Sequence, residues 1–298
     1  MERSTQTGLP GFPFTPRWFT QSHGAVQHYL DEGSGPVVLM VHGNPTWSYY
    51  YRDLIHALRD THRCVVPDHI GMGWSDKPDD AHYDHSVQQR VDDLDALVAS
   101  LGLGDRITMV VHDWGGMIGF AWACRHPDRI ARLVVLNSGP FPIPDDKKVP
   151  FLLRVARTRL VGSLLVRRAN AVAKGVTKQG VERALAPEVR KAYLAPYDSP
   201  DHRRAIHRFV QDIAVSPDHP GYALARETGD ALAQFATRPA LIGWGMADFV
   251  FDDKFLREFR RVLPQAEVHE YADAGHLVLE DARERLIPAI AEFLARTA

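Results

Sequence analysis

The feature of this sequence that most limits its fold is an alternation of short, β-branched apolar runs with stretches of helical periodicity. Between the second and third runs, residues 87–98 show apolar side chains at helical spacing, and Gly102 ends the predicted helix. Strands separated by helices form a mostly parallel sheet covered on both faces, so we expect an α/β protein. Four runs predict buried strands: Val37–Val41, Cys64–Val66, Ile107–Val111 and Leu133–Leu136. Two further strands, each followed by a helix, are predicted near the C-terminus at Ala240–Trp244 and Glu267–Tyr271.

The stretch 138–237 breaks this alternation, since it combines helix-forming segments with many prolines and few β-branched runs. We interpret it as a helical cap inserted into a core formed by residues 1–137 and 238–298. Residues 145–236 hold 16 Lys and Arg against 10 Asp and Glu, a net charge of +6, whereas the whole chain carries −2. A solvated helical surface is the simpler explanation of this excess, and a basic surface for an acidic partner is the alternative.

Two apolar stretches of the insertion, Val161–Val166 and Phe209–Val210, are candidates for lining an alkyl-binding pocket. In open α/β sheets, ligands bind outside the carboxyl ends of the strands, so a helical insertion there must wall the pocket. Packing of the cap onto the core is the simpler interpretation of any single one of these residues.

Asp113 lies in the most informative motif of the chain, directly after a predicted strand and before a helix-forming run. A strand-to-helix turn followed by Trp114, Gly115 and Gly116 is typical of the nucleophile elbow of the α/β-hydrolase fold. Two departures are that Asp replaces the usual serine and that Val111 stands where a small residue is expected. A carboxylate attacks an sp³ carbon and forms an ester, so this elbow predicts alkyl transfer to Asp113. A helix N-cap is the alternative role.

Two further side chains complete a predicted catalytic triad. His276 follows the last predicted strand, where the catalytic histidine of this fold is found, and we expect it to act as a general base. A carboxylate must fix its tautomer and stabilise its charged form. Asp248 follows the strand at Ala240–Trp244 and is better placed than Asp145, the first acid after the preceding strand. A turn-forming aspartate is the alternative role of Asp248.

The loop after the first predicted strand, which contains Asn44 and Pro45, is the usual source of an oxyanion-hole amide in this fold. The side-chain amide of Asn44 and the indole N–H of Trp114 are donors that we expect to flank Asp113. Such a pair suits a departing anion, whether halide, alkoxide or carboxylate. A turn before Pro45 and plain core packing of Trp114 are the simpler alternatives.

These residues together resemble the haloalkane dehalogenase family of α/β-hydrolases. The resemblance implies Asp113 as nucleophile, His276 as base and Asp248 as acid, with Asn44 and Trp114 as the halide-binding pair. An acid after the late strand combined with an Asn–Trp pair is similar to the third subfamily. The resemblance extends from residue 37 to the end of the chain and is sharpest over residues 42–47, 67–78, 112–116 and 245–276.

Longer strings at 44–52 and 67–71 resemble one branch of that family, the β-lactone decarboxylases of bacterial long-chain olefin biosynthesis. That branch implies a cis-3,4-dialkyl-oxetan-2-one as substrate. The same five residues serve a lactone and a haloalkane, so the residues by themselves do not decide between the two substrates.

Two other functions are less consistent with the sequence. An epoxide hydrolase needs two cap tyrosines as acids, and Tyr193, Tyr197 and Tyr222 are available, but the Asn44 and Trp114 pair argues against it. A receptor built on this fold would usually have a damaged triad, and here all three members are in place.

The resemblance implies a small apolar substrate, a β-lactone or a haloalkane, as the partner of this chain. A net charge of −2 gives no indication of nucleic-acid binding, and no metal cluster or phosphate loop predicts a cofactor, so we expect none. Cys64 and Cys124 both lie in apolar runs and are interpreted as buried free thiols, which fits a cytoplasmic location. No apolar run reaches the 18 residues of a membrane span, and nothing in the sequence excludes a homo-oligomer.

Overall fold

The computed structural model describes residues 8–298, and one eight-stranded sheet lies at its centre. The strands lie in the order β1-β2-β4-β3-β5-β6-β7-β8. Strands β3 to β8 are parallel to one another, and β2 is antiparallel to both of its neighbours, β1 and β4, at one edge of the sheet. Their bounds are β1 Arg17–Thr20, β2 Val26–Glu32, β3 Val37–Val41, β4 Arg63–Pro67, β5 Ile107–Asp113, β6 Ile130–Ser138, β7 Ala240–Gly245 and β8 Glu267–Tyr271.

All six predicted strands are confirmed, and they form the parallel part of the sheet. The edge strands β1 and β2 were not predicted, because neither contains a continuous apolar run and their polar and apolar residues do not alternate regularly. Several polar groups of β2 are nevertheless buried and satisfied. His28 Nδ1, for example, lies 2.8 Å from Oδ2 of Asp68, and the Gln27 side chain accepts a hydrogen bond from Gln21 at 2.6 Å.

Helices cover both faces of the sheet, and the α/β-hydrolase architecture expected from the sequence is confirmed. The predicted helix between β4 and β5 begins after Ser86, whose hydroxyl accepts from the Gln89 amide, and ends at Gly102 in the left-handed conformation. The helices of the core are α1 Arg52–Leu58, α2 Val87–Leu101, α3 Trp114–Arg125, α10 Asp253–Val262, α11 Val278–Asp281 and α12 Arg283–Arg296.

The chain between β6 and β7 is helical, and the structure assigns no strand to it. Because β6 runs to Ser138, the first residue of the predicted insertion is the last residue of a core strand. In the described part of the chain, no helix is long and apolar enough to cross a membrane. The helices of this insertion are α4 Phe151–Ala156, α5 Leu160–Ser163, α6 Ala171–Gln179, α7 Pro187–Leu194, α8 Arg204–Gln211 and α9 Pro220–Ala231, and a π-helical turn at Leu164–Arg168 continues α5.

Both cysteines are free thiols, as predicted. Cys64 is buried in β4, but Cys124 is partly exposed near the end of α3, so the prediction of burial was correct only for Cys64. Burial of the Cys64 thiol raises its pKa to about 12, which leaves it protonated and unreactive at neutral pH.

Candidate active site

Asp113 lies at the junction of β5 and α3, in a tight turn with φ 51° and ψ −128°. A positive φ is unusual for a residue other than glycine, and such strain is found mainly at functional sites. The turn requires close packing: a Cβ atom at Gly115 would lie 1.9 Å from the carbonyl oxygen of Val41, and one at Gly43 would lie 2.1 Å from Oδ1 of Asp113. The side chain of Asp113 does not cap α3, so it is free for another role.

The departure at Val111 is accommodated by α3, which crosses β5 at this point. A Cβ atom at Gly119 would lie only 2.9 Å from Cγ1 of Val111. The space that a small residue usually leaves in the strand is therefore provided by a glycine in the helix.

The Asp113 carboxylate has one oxygen held by the backbone and one oxygen directed to the histidine. Oδ1 accepts a hydrogen bond from the amide of Asn44 at 2.5 Å, whereas Oδ2 lies 3.6 Å from Nε2 of His276. Burial raises the pKa of Asp113 to about 6, although His276 and the amides of Asn44 and Trp114 lower it. Asp113 is therefore ionised near neutral pH and poorly solvated, a combination that favours nucleophilic attack.

The structure brings together His276 and Asp248, the predicted base and the predicted acid. Nδ1 of His276 is 2.8 Å from Oδ2 of Asp248, and both side chains are buried. Burial is the largest influence on the pKa of His276 and lowers it, but Asp248 and Asp113 outweigh burial, so the pKa is raised. Oδ1 of Asp248 also accepts from the amide of Val250 at 2.7 Å, so this residue has the predicted turn role as well.

Three buried residues that the sequence reasoning missed hold this pair in place. Asn137, which has φ 26° near the end of β6, donates to Oδ2 of Asp248 at 3.1 Å and is bound to the backbone of Gly245 through both of its side-chain atoms. His112 lies 2.9 Å from the His276 carbonyl, and Asp281 accepts from the amide of Gly275 at 2.8 Å. The available signal for Asn137 was a polar residue at the end of an otherwise apolar strand.

Asn44 and Trp114 line the cavity together with Asp113, and their role as a donor pair stays a prediction. The side-chain NH₂ of Asn44 donates to the carbonyl of Ile206 at a long 3.4 Å, and its Oδ1 is buried without a hydrogen-bond partner. The Trp114 ring packs against Phe209, with 5.4 Å between ring centroids. This weak bonding leaves the amide of Asn44 able to reorganise around an anion.

A cavity of about 710 Å³ opens above Asp113 and is bounded by the insertion. Its volume lies in the upper part of the range of ligand pockets, and its walls are mainly apolar. Its polar lining includes the residues of the predicted site, Asn44, Asp113, Trp114 and His276. The apolar wall is formed by Phe141, Pro142, Ile143, Val149, Pro150, Phe151, Leu153, Leu165, Val166, Val172, Val176, Val210, Ile213, Phe249, Val250, Phe251 and Phe255.

The predicted lining of the pocket was only partly correct. Leu165, Val166 and Val210 line the cavity, whereas Val161 is 51% exposed and points to solvent. Phe209 is fully buried behind the wall, with the guanidinium of Arg90 placed 3.7 Å from its ring centroid. The apolar stretch that includes α5 therefore faces solvent for part of its length and does not line the cavity throughout.

The three tyrosines considered for an epoxide hydrolase are not among the described residues that line the cavity. The hydroxyl of Tyr193 donates to the Glu280 carboxylate, and that of Tyr197 is 3.4 Å from the carbonyl of Thr46. The hydroxyls of Tyr193 and Tyr197 are thus engaged between the insertion and the core, and none of the three tyrosines is placed in the cavity wall to act as the acid that this function needs.

A parallel sheet, a strained elbow residue and a buried carboxylate–histidine pair define the α/β-hydrolase class of enzyme. The family profile described as "alpha/beta hydrolase fold" matches residues 36–282. A solved structure of haloalkane dehalogenase DbeA from Bradyrhizobium elkani has a TM-score of 0.85 and 26% identity, and the alignment covers 95% of this chain and 98% of that one.

Curated relatives narrow the class further. A cis-3-alkyl-4-alkyloxetan-2-one decarboxylase from Xanthomonas campestris is 49% identical, over 96% of this chain and 98% of that protein. Haloalkane dehalogenase 2 from Mycobacterium tuberculosis is 35% identical, over 94% of this chain and 95% of that protein. The chain therefore belongs to the haloalkane dehalogenase family of α/β-hydrolase-fold enzymes, and the resemblance seen in the sequence is confirmed.

Proposed function

We propose that this enzyme is a β-lactone decarboxylase, in which Oδ2 of Asp113 attacks C4 of a cis-3,4-dialkyl-oxetan-2-one. The observation that carries the proposal is a desolvated elbow carboxylate at the base of a 710 Å³ apolar cavity. Oδ1 is held by the amide of Asn44, so Oδ2 is the oxygen left to attack. The relatives at 49% identity that are named as such decarboxylases support this substrate class.

The first step forms a bond between Oδ2 of Asp113 and C4 and breaks the bond between C4 and the ring oxygen. The electron pair of the broken bond leaves on the ring carboxyl group, which becomes a carboxylate beside Asn44 and Trp114. Donors directed at a developing anion lower the barrier because they are already oriented when the charge appears. Relief of strain in the four-membered ring also favours opening.

The second step releases CO₂. The electrons of the bond between C3 and the carboxylate carbon form the C3=C4 double bond, and Asp113 leaves C4 as a carboxylate. No water is consumed and Asp113 is regenerated. Inversion at C4 followed by anti elimination converts a cis-lactone into a cis-alkene.

His276 acts in this scheme through its charge. Its raised pKa favours the imidazolium, which lies 3.6 Å from Oδ2 and stabilises Asp113 as it leaves, while Asp248 holds the ring in orientation. We assign residues 139–237, which follow β6, the role of a cap whose helices exclude water from the site. Exclusion of water protects the alkyl-enzyme ester from hydrolysis.

Product analysis tests this function. Purified enzyme is given a synthetic cis-3,4-dialkyl-oxetan-2-one in parallel with 1-bromobutane and 1,2-dibromoethane, and alkene, CO₂, alcohol and bromide are measured. We expect equal amounts of cis-alkene and CO₂ from the lactone, and none from the Asp113→Asn variant. A β-hydroxy acid as the main product would contradict the proposal.

A hydrolytic haloalkane dehalogenase is the second candidate, and the donor pair of Asn44 and Trp114 beside Asp113 favours it. In that reaction His276 activates water to hydrolyse the alkyl ester. The variant His276→Phe should then accumulate an alkyl group on the peptide that contains Asp113 after incubation with 1-bromobutane, as measured by mass spectrometry. An unmodified peptide after long incubation would exclude this candidate.

A further inference from the structure

Four apolar side chains of the insertion project into solvent next to the cavity. Phe151 on α4 is 73% exposed, and Leu160, Val161 and Leu164 are 77%, 51% and 61% exposed. α4 and α5 pack against each other, and the last three residues lie on one side of a continuous helical stretch. We call these four residues the cap ridge. Single exposed apolar residues are ordinary, but a contiguous group of this kind indicates an interaction site.

The segment of chain that carries the cap ridge has charges of one sign. Residues 147–181 contain nine Lys and Arg and no Asp or Glu. Lys147 and Arg167 are paired with acids from other segments. Arg154, Arg159 and Arg168 are exposed and form no ion pair with any described residue. The ridge is therefore an apolar surface surrounded by unpaired cations.

The ridge also adjoins the entrance of the cavity. Phe151 is at once a ridge residue and a residue of the cavity wall, and Phe249, which is 47% exposed, lines the wall as well. Lys147 donates to the carbonyl of Phe249 at 3.1 Å, which links the start of the basic segment to this entrance. A molecule that reaches the ridge is thus next to the catalytic cavity.

We propose that the cap ridge and its basic surroundings dock on an anionic lipid bilayer, with the entrance of the cavity facing the acyl layer. Projecting apolar side chains flanked by cations match such a surface, because the apolar groups enter the acyl boundary while the cations bind the lipid headgroups. An acidic protein would satisfy the cations, but a fluid acyl layer covers projecting side chains without a shaped groove. With the proposed function, docking also lets a neutral dialkyl lactone enter without crossing water.

Vesicle flotation tests the docking without relying on catalysis. The intact protein is mixed with vesicles of phosphatidylcholine alone, or of phosphatidylcholine with phosphatidylglycerol, and the floated fraction is measured. We expect binding to the second kind only, and its loss at about 1 M salt, where the Debye length is about 3 Å. The double variant Leu160→Ser/Leu164→Ser should bind roughly tenfold or more weakly, since binding requires burial of apolar area as well as attraction to anionic lipid. Arg159→Gln/Arg168→Gln should also weaken binding.

The matched control is Arg17→Gln/Arg106→Gln, which removes two exposed arginines from the core and should bind like the unaltered protein. Melting temperatures confirm that each variant is folded. Absence of binding to both kinds of vesicle would overturn the proposal and favour an acidic protein partner. Binding that survives both ridge and arginine variants would overturn it too, because another surface would then be responsible. Neither result depends on whether the substrate is a lactone.

Discussion

Replacement of Asp113 by Asn should stabilise the protein and abolish its activity. Burial raises the pKa of Asp113 from 3.8 to about 6, so the folded state disfavours the ionised side chain. One pKa unit corresponds to about 1.4 kcal/mol, so ionised Asp113 lowers the free energy of unfolding by about 3 kcal/mol. The cost is absent below the unfolded pKa, grows between pH 3.8 and about 6, and is complete above that. Asn carries no charge and tolerates a positive φ well.

The prediction is checked by thermal unfolding of both proteins, followed by tryptophan fluorescence, over a pH series. For a domain of this size, about 3 kcal/mol corresponds to a rise in melting temperature of roughly 6 °C. We expect this rise at pH 8 and little difference at pH 4. Equal melting temperatures at pH 8, or a rise that does not change with pH, would refute the argument that the nucleophile is kept desolvated at a cost in stability.

Three other predictions concern the acids and the cavity. Asp68→Asn should destabilise the protein at pH 7 by about 2 kcal/mol, as measured by urea unfolding. Burial raises the pKa of Asp68, but His28, His42 and the Ser48 amide outweigh burial and lower this pKa to about 2. A variant as stable as the unaltered protein would contradict this prediction. Asp248→Asn should lower turnover roughly a thousandfold or more while the exposed Asp145→Asn changes it little, and equal effects in a steady-state assay would reject the acid assignment. Apparent affinity should rise roughly fourfold per substrate methylene, since each contributes about 0.8 kcal/mol, and a flat response beyond four carbons would favour a short haloalkane.

Most of the parallel core could be predicted from the sequence, because strands such as β3 and β7 are runs of apolar residues that are buried on both faces. β1 and β2 could not, because they have no such run and their buried polar groups are satisfied by distant residues such as Asp68. Such pairs cannot be predicted from the sequence because their members lie far apart along the chain, even though the interactions themselves are strong.

The candidate site could be predicted where each residue occupies a defined position relative to a strand end. Asp113, Asp248 and His276 follow β5, β7 and β8, and parallel strands bring these ends together. Asn137 was missed because its partners, Gly245 and Asp248, lie more than a hundred residues away. The exposure of Val161 to solvent could not be predicted either, because an apolar run does not show which side of a helix faces the cavity.

The most direct test of the central claim is turnover of a cis-dialkyl β-lactone in water enriched in heavy oxygen. After many turnovers, the mass of the peptide containing Asp113 is measured together with the products. Decarboxylation breaks the bond between C4 and Oδ2 without water, so we predict unlabelled Asp113 and one CO₂ for each cis-alkene. Hydrolysis of the ester by water activated at His276 would place heavy oxygen in the Asp113 carboxylate and release a β-hydroxy acid. That labelled peptide would contradict the account.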